Sequence, residues 1–348
     1  MKKIKIGNKY LGEGHPCFII AEAGVNHNGN INLAKKLIDT AKEAGADAVK
    51  FQTFKAENVV IENAEMAEYQ KKNIGRSETQ LKMIKRFELG YKDFIELKKY
   101  CDRKKITFLS TPHSEDAIGF LEPLVPAYKI GSGDLTNLPF LEKIAKKKKP
   151  IILSTGMANL SEVRGTVRTI KKQGNNKIIL LHCTTNYPCP LEEVNLKAML
   201  TLKREFNLPV GYSDHTLGIL VPIMAVTLGA KVIEKHFTLN KNLPGPDHKA
   251  SLEPKELKEM VKVIRNVEET LGSGVKKPTK SEEKIKKVAR KSIIAKVDIQ
   301  KGTKIISDML IIKRPGIGIE PKYFDKVVGK IAKEYIKKDA LIRFEKLK

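Results

Sequence analysis

Eight short apolar runs, spaced along roughly the first 270 residues, constrain the fold of this chain more than any other feature. Each run has about the length of a strand and turns polar at its end; the runs begin at Cys17, Asp47, Ile106, Ala127, Pro150, Lys177, Leu208 and Lys231. Stretches of helical periodicity, such as INLAKKLIDTAKEAG, separate them. Continuously apolar strands are typical of a parallel sheet buried on both faces, so the pattern predicts an α/β fold, a (β/α)8 or TIM barrel over residues 1–271. A doubly wound open sheet is the alternative, but it usually has fewer strands, and no G-x-G-x-x-G follows the first run.

The last fifth of the chain differs in composition from the barrel segment. Residues 272–290 are rich in Gly, Ser, Pro and Lys, as in GSGVKKPTKSEE, and predict a linker. Beyond it, VDIQKGTKIISDML and EYIKKDALIRFEKL each have the pattern of strand, polar turn and strand. Residues 291–348 are therefore expected to form a small β-rich domain, too small to be an enzyme on its own.

Composition limits the classes of function that need to be considered. The formal net charge of +25 would suit nucleic acid, an anionic substrate or a Lys-rich surface. The excess is mostly Lys interspersed with Glu, and the chain has no Trp, no Arg-rich arm and no zinc-finger motif, so nucleic-acid binding is not favoured. No apolar run approaches the ~20 residues that span a bilayer. The polar N-terminus and four cysteines without a C-x-x-C pair predict a cytoplasmic protein with reduced thiols and no signal peptide.

Polar side chains stand at the ends of the predicted strands, where a TIM barrel carries its catalytic groups. Lys50 and Lys129 fall within two of these strands, and burial of a lone lysine is costly unless the ammonium meets an anion. Ser and Thr hydroxyls and glycine backbone stand at the neighbouring strand ends. Together these groups predict a cradle for phosphate or carboxylate. Salt bridges inside the barrel, to Glu22 or Glu234, are the structural alternative.

Two histidines mark the ends of the last two predicted strands. His215 follows strand seven, and His236 ends strand eight, two residues after Glu234. Two imidazoles from neighbouring strand ends, with a carboxylate close by, are a suitable ligand set for a divalent metal. The alternative is that both histidines are polar loop residues, hydrogen-bonded to backbone.

A series of motifs in these positions resembles one known family. AEAGVNHNG, KFQTF, STPHS, KIGSGD, STGM, HCTTNYPCP, GYSDHTLG, EKHFTL and GPDHKAS are similar, in this order, to motifs of the sialic acid synthases. That family contains the N-acetylneuraminate, legionaminate and pseudaminate synthases. The tail, with KRPGIGI from Lys313, resembles the antifreeze-like (SAF) domain that follows the barrel in the family.

The resemblance implies an enzyme that condenses phosphoenolpyruvate, an N-acetylated hexosamine such as N-acetylmannosamine, and water to a nine-carbon sialic acid and phosphate. It implies that His215 and His236 hold manganese or magnesium. The phosphoenolpyruvate site would comprise Lys50, Thr111, Lys129, Ser132, Ser154, Tyr187 and Ser213, together with Thr185, where some members carry Asn. Glu22, Gln52 and Asp247 would face the sugar, and Glu234 or Asp247 would hold the reacting water. Arg314 would reach the sugar's N-acyl group from the partner subunit of a domain-swapped homodimer.

Three other functions remain open at this stage. The first is a phosphoenolpyruvate-dependent synthase with a phosphorylated or diacetamido sugar as acceptor. The second is a metal-dependent hydrolase on the same barrel, and the third, of a different class, is a basic nucleic-acid-binding protein. The choice of acceptor is expected to depend on the insertion from Glu57 to Gly90 and on the Gly316–Pro321 loop.

Overall fold

A computed structural model describes residues 3–75 and 78–348, so that Arg76 and Ser77 of the insertion lie outside the described residues. The chain divides into two compact units, Met1–Gly272 and Ser273–Lys348. Each unit has its own buried core. Within the described residues, no helix is both long and apolar enough to cross a membrane.

The first unit is built on eight parallel strands. After a short antiparallel hairpin of β1 (Ile4–Ile6) and β2 (Lys9–Leu11), the parallel strands are β3 (Phe18–Gly24), β4 (Ala48–Thr53), β5 (Thr107–Pro112), β6 (Tyr128–Ile130), β7 (Ile151–Ser154), β8 (Ile178–His182), β9 (Val210–Asp214) and β10 (Val232–His236). Their order in the sheet is β5-β4-β3-β10-β9-β8-β7-β6. The pairing of β10 with β3 curves the sheet into a nearly closed barrel, with a seam between β5 and β6. The predicted TIM barrel is therefore confirmed.

Helices follow the strands, and all but α2 and α3 cover the outside of the barrel. They are α1 (Ile31–Glu43), α2 (Glu68–Ile74), α3 (Gln80–Lys85), α4 (Tyr91–Lys104), α5 (Glu115–Leu121), α6 (Leu138–Lys146), α7 (Leu160–Lys172), α8 (Lys197–Phe206), α9 (Leu220–Thr227) and α10 (Pro254–Leu271). Helix α1 shows why the periodic stretches become helices: Asn30 caps its first turn, and Ala34, Leu37, Ile38 and Ala41 form one buried stripe.

Both ends of the barrel are partly covered. The β1–β2 hairpin packs Ile4, Ile6 and Leu11 against the interior side chains at the beginnings of the strands. At the opposite end, the insertion between β4 and α4 contains α2 and α3. Its Phe54, Met66, Met83 and Phe87 form a small apolar cluster with Val25, which follows β3. The polar ends of the strands therefore lie beneath the insertion.

The second unit is small and organised around one antiparallel pair, β11 (Ser292–Ala295) with β12 (Leu310–Lys313). Isolated bridges, such as Ile299 with Ile336, extend the pairing, and the core includes Ile293, Ile305 and Ile342. Two helices belong to this unit, α11 (Lys280–Ala289) and α12 (Phe324–Val327). Helix α11 occupies most of the segment predicted as a linker.

Candidate active site

Strand register brings the predicted site residues side by side at the carboxyl ends of the barrel strands. In the parallel ladders Glu22 pairs with Lys50, and Gln52 pairs with Thr111. On the other side of β3, His236 pairs with Glu22. Because alternate residues of a strand point to opposite faces, Lys50 with Gln52, and Glu234 with His236, both direct their side chains into the barrel.

Lys50 lies in a buried network with two carboxylates. Its Nζ is 2.9 Å from Glu22 Oε2 and 3.8 Å from Glu234 Oε2, and it donates a 3.0 Å hydrogen bond to Thr111 Oγ1. Burial lowers the pKa of Lys50, but the two carboxylates outweigh it, so the pKa is raised and the ammonium stays charged. The pKa of Glu22 is raised to about 7, chiefly by burial, although Lys50 opposes the shift.

Lys129 forms the second cationic position, on the other side of Glu234. Its Nζ donates to Ser154 Oγ at 2.8 Å and lies 3.4 Å from Glu234 Oε1. Burial lowers the pKa of Lys129. Glu234 accepts a 3.0 Å hydrogen bond from Ser213 Oγ. Burial raises the pKa of Glu234, but Lys129 and Lys50 outweigh it, so the pKa is lowered and the carboxylate stays ionised. The salt bridges to Glu22 and Glu234, which were the structural alternative to an anion cradle, are therefore present. The residues that form them line an open cavity.

An inner cavity of about 180 Å³ collects most of the predicted site residues. It is lined by Glu22, Lys50, Gln52, Thr111, Lys129, Ser132, Ser154, Thr185, Tyr187, Ser213, His215, Glu234 and His236. Ser132 Oγ accepts a 3.0 Å hydrogen bond from the backbone N–H of Gly156, and a side chain at position 156 would collide with Ser132 and Thr185. The backbone at Gly156 therefore closes one wall of the inner cavity.

His215 and His236 face each other across this cavity, with ring centroids 5.7 Å apart. The Nδ1 of His215 lies 2.6 Å from the backbone oxygen of Thr184, to which it donates, leaving Nε2 for a ligand. Burial lowers the pKa of His215 to about 4 and that of His236 well below its usual value, so both rings are neutral. The ring of Tyr187 packs on His215, with centroids 4.0 Å apart, and meets His236 edge-on.

Two neutral imidazoles fit a divalent cation by their donor chemistry. The Nδ1 of His236 is buried and has no hydrogen-bond partner among the residues that the structure describes, which is consistent with a ring kept free for a ligand. The described residues hold no group of three or more His, Cys, Asp or Glu side chains arranged around a common point for a metal. The protein would therefore supply two donors, and water or substrate would supply the others.

An outer cavity of about 220 Å³ adjoins the inner one. The two share Gln52, His113, Tyr187 and His236, and the outer one contains Asp247. Burial raises the pKa of Asp247 to about 6. Val25 and Pro246 contribute to the remaining wall, and the rest of it comes from the insertion: Phe54, Val59, Tyr69, Gln70, Met83, Ile84 and Phe87. Tyr69 of α2 stacks on Tyr187, with centroids 5.1 Å apart, and Asn73 Nδ2 donates to the backbone oxygen of Pro246 at 2.6 Å.

Several lining residues were missing from the predicted set. His113 borders both cavities, and burial lowers its pKa to about 4, so it is neutral. His113 could have been predicted as a site residue from its position after β5, in STPHS, because the strand ends face the site. Cys183 borders the inner cavity, with Sγ 3.1 Å from Ser132 Oγ. Tyr69 and its neighbours on the insertion had no comparable signal, since no strand end identifies them.

The other predicted residue, Arg314, belongs to the second unit. It is exposed and directly follows β12. His248 lies near Asp247 in the chain but is satisfied structurally: its two ring nitrogens lie 2.7 Å from Thr238 Oγ1 and 3.1 Å from Asn28 Oδ1. It therefore fixes the loop that carries Asp247.

Comparison with known proteins identifies the family. A family model described as the NeuB family matches residues 37–276, which is most of the chain. The chain belongs to the NeuB family. A SAF domain model matches residues 290–348 of this NeuB-family chain.

Named relatives agree with this assignment over nearly the whole length. The N,N'-diacetyllegionaminic acid synthase of Legionella pneumophila is 52% identical over 328 residues, covering 93% of this chain and 92% of that protein. The N-acetylneuraminate-9-phosphate synthase of Homo sapiens is 39% identical, covering 97% and 94%. Among solved structures, the N-acetylneuraminic acid synthetase from Leptospira borgpetersenii matches with a TM-score of 0.72 and 38% sequence identity. The match covers 82% of this chain and 95% of that one. The predicted family and the prediction of an enzyme of the sialic acid synthase type are therefore confirmed.

Proposed function

We propose that this NeuB-family enzyme condenses phosphoenolpyruvate with an N-acylated hexosamine and water to give a nine-carbon, sialic-acid-type product and inorganic phosphate. The observation that carries the proposal is the pair of buried lysines, Lys50 and Lys129, 3% and 2% exposed, on either side of Glu234 in a cavity. Buried cations with open space beside them favour an anionic guest.

The inner cavity suits phosphoenolpyruvate. That substrate carries a carboxylate and a phosphate on a three-carbon frame, and the cavity offers two ammonium groups with the hydroxyls of Thr111, Ser154 and Ser213. Lys50 and Lys129 would neutralise the two anionic ends, and the hydroxyls would donate hydrogen bonds. Ser132, Thr185 and Tyr187 line the same cavity and would complete the phosphoenolpyruvate site.

The outer cavity suits the sugar acceptor. Its boundary with the inner cavity includes Gln52 and His236, so a sugar carbonyl at this boundary would lie beside the methylene carbon of phosphoenolpyruvate. Asp247 lies in the outer cavity and Gln52 donates to Glu22 Oε1 at 3.2 Å, so these polar groups can orient the sugar hydroxyls. Arg314, whose predicted contact with the N-acyl group needs a second subunit, remains part of this proposal.

His215 and His236 are the residues that would hold a divalent metal, manganese or magnesium. When bound, such a cation supplies Lewis-acid polarisation of the sugar's carbonyl oxygen. The depressed pKa values of both imidazoles keep the rings neutral across the physiological range, as metal ligation requires.

The pKa values of the three carboxyl groups suit them to different steps of the reaction. Glu234 is held ionised between two lysines and would stabilise positive charge as the enol carbon bonds to the sugar and the oxocarbenium forms. Glu22 and Asp247, with pKa values of about 7 and about 6, are suited to accept the proton of the water that adds to this cation. The resulting tetrahedral intermediate then expels phosphate, with the lysines balancing its charge.

The test is one enzyme assay, run complete and with each substrate left out in turn. Purified protein, phosphoenolpyruvate, manganese and each of several N-acyl hexosamines are followed for phosphate, and the product is identified by mass. We expect phosphate release only when both substrates are present, and a product mass equal to their sum with water, less phosphoric acid. Release without acceptor would indicate the hydrolase alternative, and no release with any acceptor would overturn the proposal.

Other predictions from the sequence belong with this proposal. The domain-swapped homodimer and the cytoplasmic location stay predictions, as do the boundaries 1–271, 272–290 and 291–348. Nucleic-acid binding by the Lys-rich surface has a simple test, since an affinity for duplex DNA that falls steeply with salt would support it.

A further inference from the structure

A third cavity, which we call the basal cavity, lies at the end of the barrel opposite the candidate active site. It has a volume of about 710 Å³ and is lined by the turn of the β1–β2 hairpin, the connections that lead into β4 and β5, residues 123–126 before β6, and Lys149. Thr107 at the start of β5 lines it, whereas Thr111 near the end of β5 lines the inner cavity. A strand rise of about 3.3 Å per residue separates these two threonines by about 13 Å, so the two cavities are distinct.

Lysine side chains outnumber carboxylates around the basal cavity. The charged side chains in its lining are Lys9, Lys42, Lys98, Lys105, Lys149, Asp47 and Asp102. Both aspartates already have a cationic partner, since Asp47 forms a salt bridge with Lys9, and Asp102 with Lys98. Among the described residues, no carboxylate lies within salt-bridge distance of the three other lysines. The residues outside the described ranges are Met1, Lys2, Arg76 and Ser77, and none of them carries a carboxylate side chain. Positive charge is therefore in excess at this cavity.

Two of the three remaining lysines donate to backbone oxygens, and their ammonium groups keep further donors. Lys149 Nζ donates to the backbone oxygens of Glu122 and Val125, the latter at 2.7 Å. Lys42 Nζ donates to the backbone oxygen of Lys105 at 3.0 Å. An ammonium has three N–H donors, so both can also donate to a ligand. Burial lowers the pKa of Lys149 even though Glu122 opposes the shift, so nearby carboxylate charge does not compensate for the desolvation of this ammonium.

Stabilisation of helix ends is the structural alternative for these lysines. Lys42 lies in the last turn of α1 and Lys105 caps α4, and a cation is favourable at both positions. That role does not extend to Lys149, which follows α6 and lies outside the helices. Nor does it explain why lysines from three separate connections line one cavity. Lys146 and Lys171, in the last turns of α6 and α7, have the same helix-end position and do not line it. They allow the two explanations to be separated.

The remaining lining of the basal cavity is largely apolar. Phe108 of β5 and Leu124 and Pro126, which precede β6, belong to it. Within the described residues, β5 and β6 are the neighbouring barrel strands that no backbone ladder joins, and the cavity opens at the start of this gap. A cavity of this size, with apolar walls and a few polar groups, is typical of small-molecule sites.

From these observations we propose that the basal cavity binds a polyphosphate anion, either the phosphate chain of a nucleoside triphosphate or an inorganic polyphosphate. A chain with several negative charges can contact Lys42, Lys105 and Lys149 together, which a single carboxylate cannot do. The apolar walls would contact the nucleoside where one is present. The inference does not depend on the proposed condensation, because none of the described residues that line the basal cavity lines the inner or the outer cavity.

Isothermal titration of the full-length protein tests the site, with sodium tripolyphosphate and ATP as probes. Divalent metal is removed with a chelator, and the salt is about 0.15 M, so that distant surface charges are screened. We expect Lys42→Gln/Lys105→Gln to weaken tripolyphosphate binding by about tenfold or more, because it removes two of the three free cations. Lys146→Gln/Lys171→Gln is the matched control, since it removes the same charge from helix ends outside the cavity, and its affinity should stay within about twofold of wild type.

The outcomes separate a built site from general surface charge. Absence of tripolyphosphate binding to wild-type protein, or equal weakening in the two double variants, would overturn the inference. Unchanged affinity in Lys42→Gln/Lys105→Gln would also overturn it, because the anion would then bind elsewhere. Thermal unfolding shows whether each variant is folded, and Lys105→Gln alone, which changes one exposed side chain, should still weaken binding by about fivefold. Tighter binding of ATP than of tripolyphosphate would support a nucleotide as the ligand, and equal affinity would support the inorganic chain.

Discussion

Lys50 Nζ lies 2.9 Å from Glu22 Oε2, and strand register places the two residues directly beside each other on β4 and β3. Glu234 Oε2 is 3.8 Å from the same ammonium. This one cation therefore serves two carboxylates that are themselves buried. Removal of this cation leaves Glu22 without its partner and Glu234 with Lys129 alone. Breaking a buried ion pair by removing one member is costly.

We expect Lys50→Met to lower the free energy of unfolding by about 3 kcal/mol, because it leaves buried carboxylate charge uncompensated. The double variant Lys50→Met/Glu22→Gln should recover part of the loss, and urea denaturation measures both. Lys55→Met is the control, since the side chain of Lys55 is 52% exposed and lies 3.8 Å from Asp116; its change should stay within about 0.5 kcal/mol. If the double variant were less stable than the single one, the coupling would be absent.

Asp247 gives a prediction for pH dependence of stability. Burial raises its pKa from 3.8 to about 6 in the folded protein, so the folded state binds this proton more tightly than the unfolded state does. The contribution is fully present below about pH 4 and is lost as the pH rises to about 6, with a size of about 3 kcal/mol. Relative to Asp247→Asn, wild-type protein should therefore lose stability over this window, as thermal unfolding at several pH values would measure. A pH-independent difference would contradict the assignment.

Metal binding gives a prediction that does not depend on catalysis. We expect His215→Ala and His236→Ala each to weaken manganese binding by at least about a hundredfold, because each removes one of two imidazole donors. Isothermal titration of the protein, first stripped with a chelator, measures this directly. His15→Ala is the control, because His15 follows the β1–β2 hairpin, at the opposite end of the barrel from the site. Wild-type affinity in both site variants would exclude these ligands.

Arg314 allows a test of the swapped homodimer. We expect Arg314→Ala to raise the KM for the sugar about tenfold or more and to leave the KM for phosphoenolpyruvate unchanged. Arg343→Ala, an exposed arginine of the same unit, should change neither. If the arginine acts across subunits, equal mixing of Arg314→Ala with His215→Ala, followed by subunit exchange, should give about a quarter of wild-type activity at a sugar concentration well below the wild-type KM. At that concentration the Arg314→Ala homodimer contributes little, and only hybrid dimers contain a complete site. No recovery from exchanged subunits would contradict the swap.

Strand ends could be predicted from the sequence because local pattern determines them. Each apolar run ends in polar residues, and a parallel barrel brings all such ends to one face, which is why Lys50, Lys129 and His236 could be grouped without a structure. The wall of the outer cavity could not be predicted in this way. Tyr69 reaches Tyr187 across more than a hundred residues of sequence, and that contact depends on how the insertion folds back over the barrel.

Helix α11 was not predicted from the sequence, for a different reason. Its segment has few large apolar residues and was predicted as a linker, yet Thr279 and Glu282 form a capping box at its start. The T-x-x-E spacing of Thr279 and Glu282 is visible in the sequence. The Gly and Pro residues just before it favoured the prediction of a linker over that of a helix. Local capping chemistry there outweighs the low hydrophobicity of the segment.

The seam between β5 and β6 has a mechanical consequence. Within the described residues, the other neighbouring barrel strands are joined by backbone ladders, whereas none joins these two. Thr111 stands at the end of β5 and Lys129 lies within β6, so an anion held by both would bridge the gap. The bound substrate would then link the two neighbouring strands that no backbone ladder joins. We expect amide protons along β5 and β6 to exchange with solvent more slowly once the inner cavity is filled.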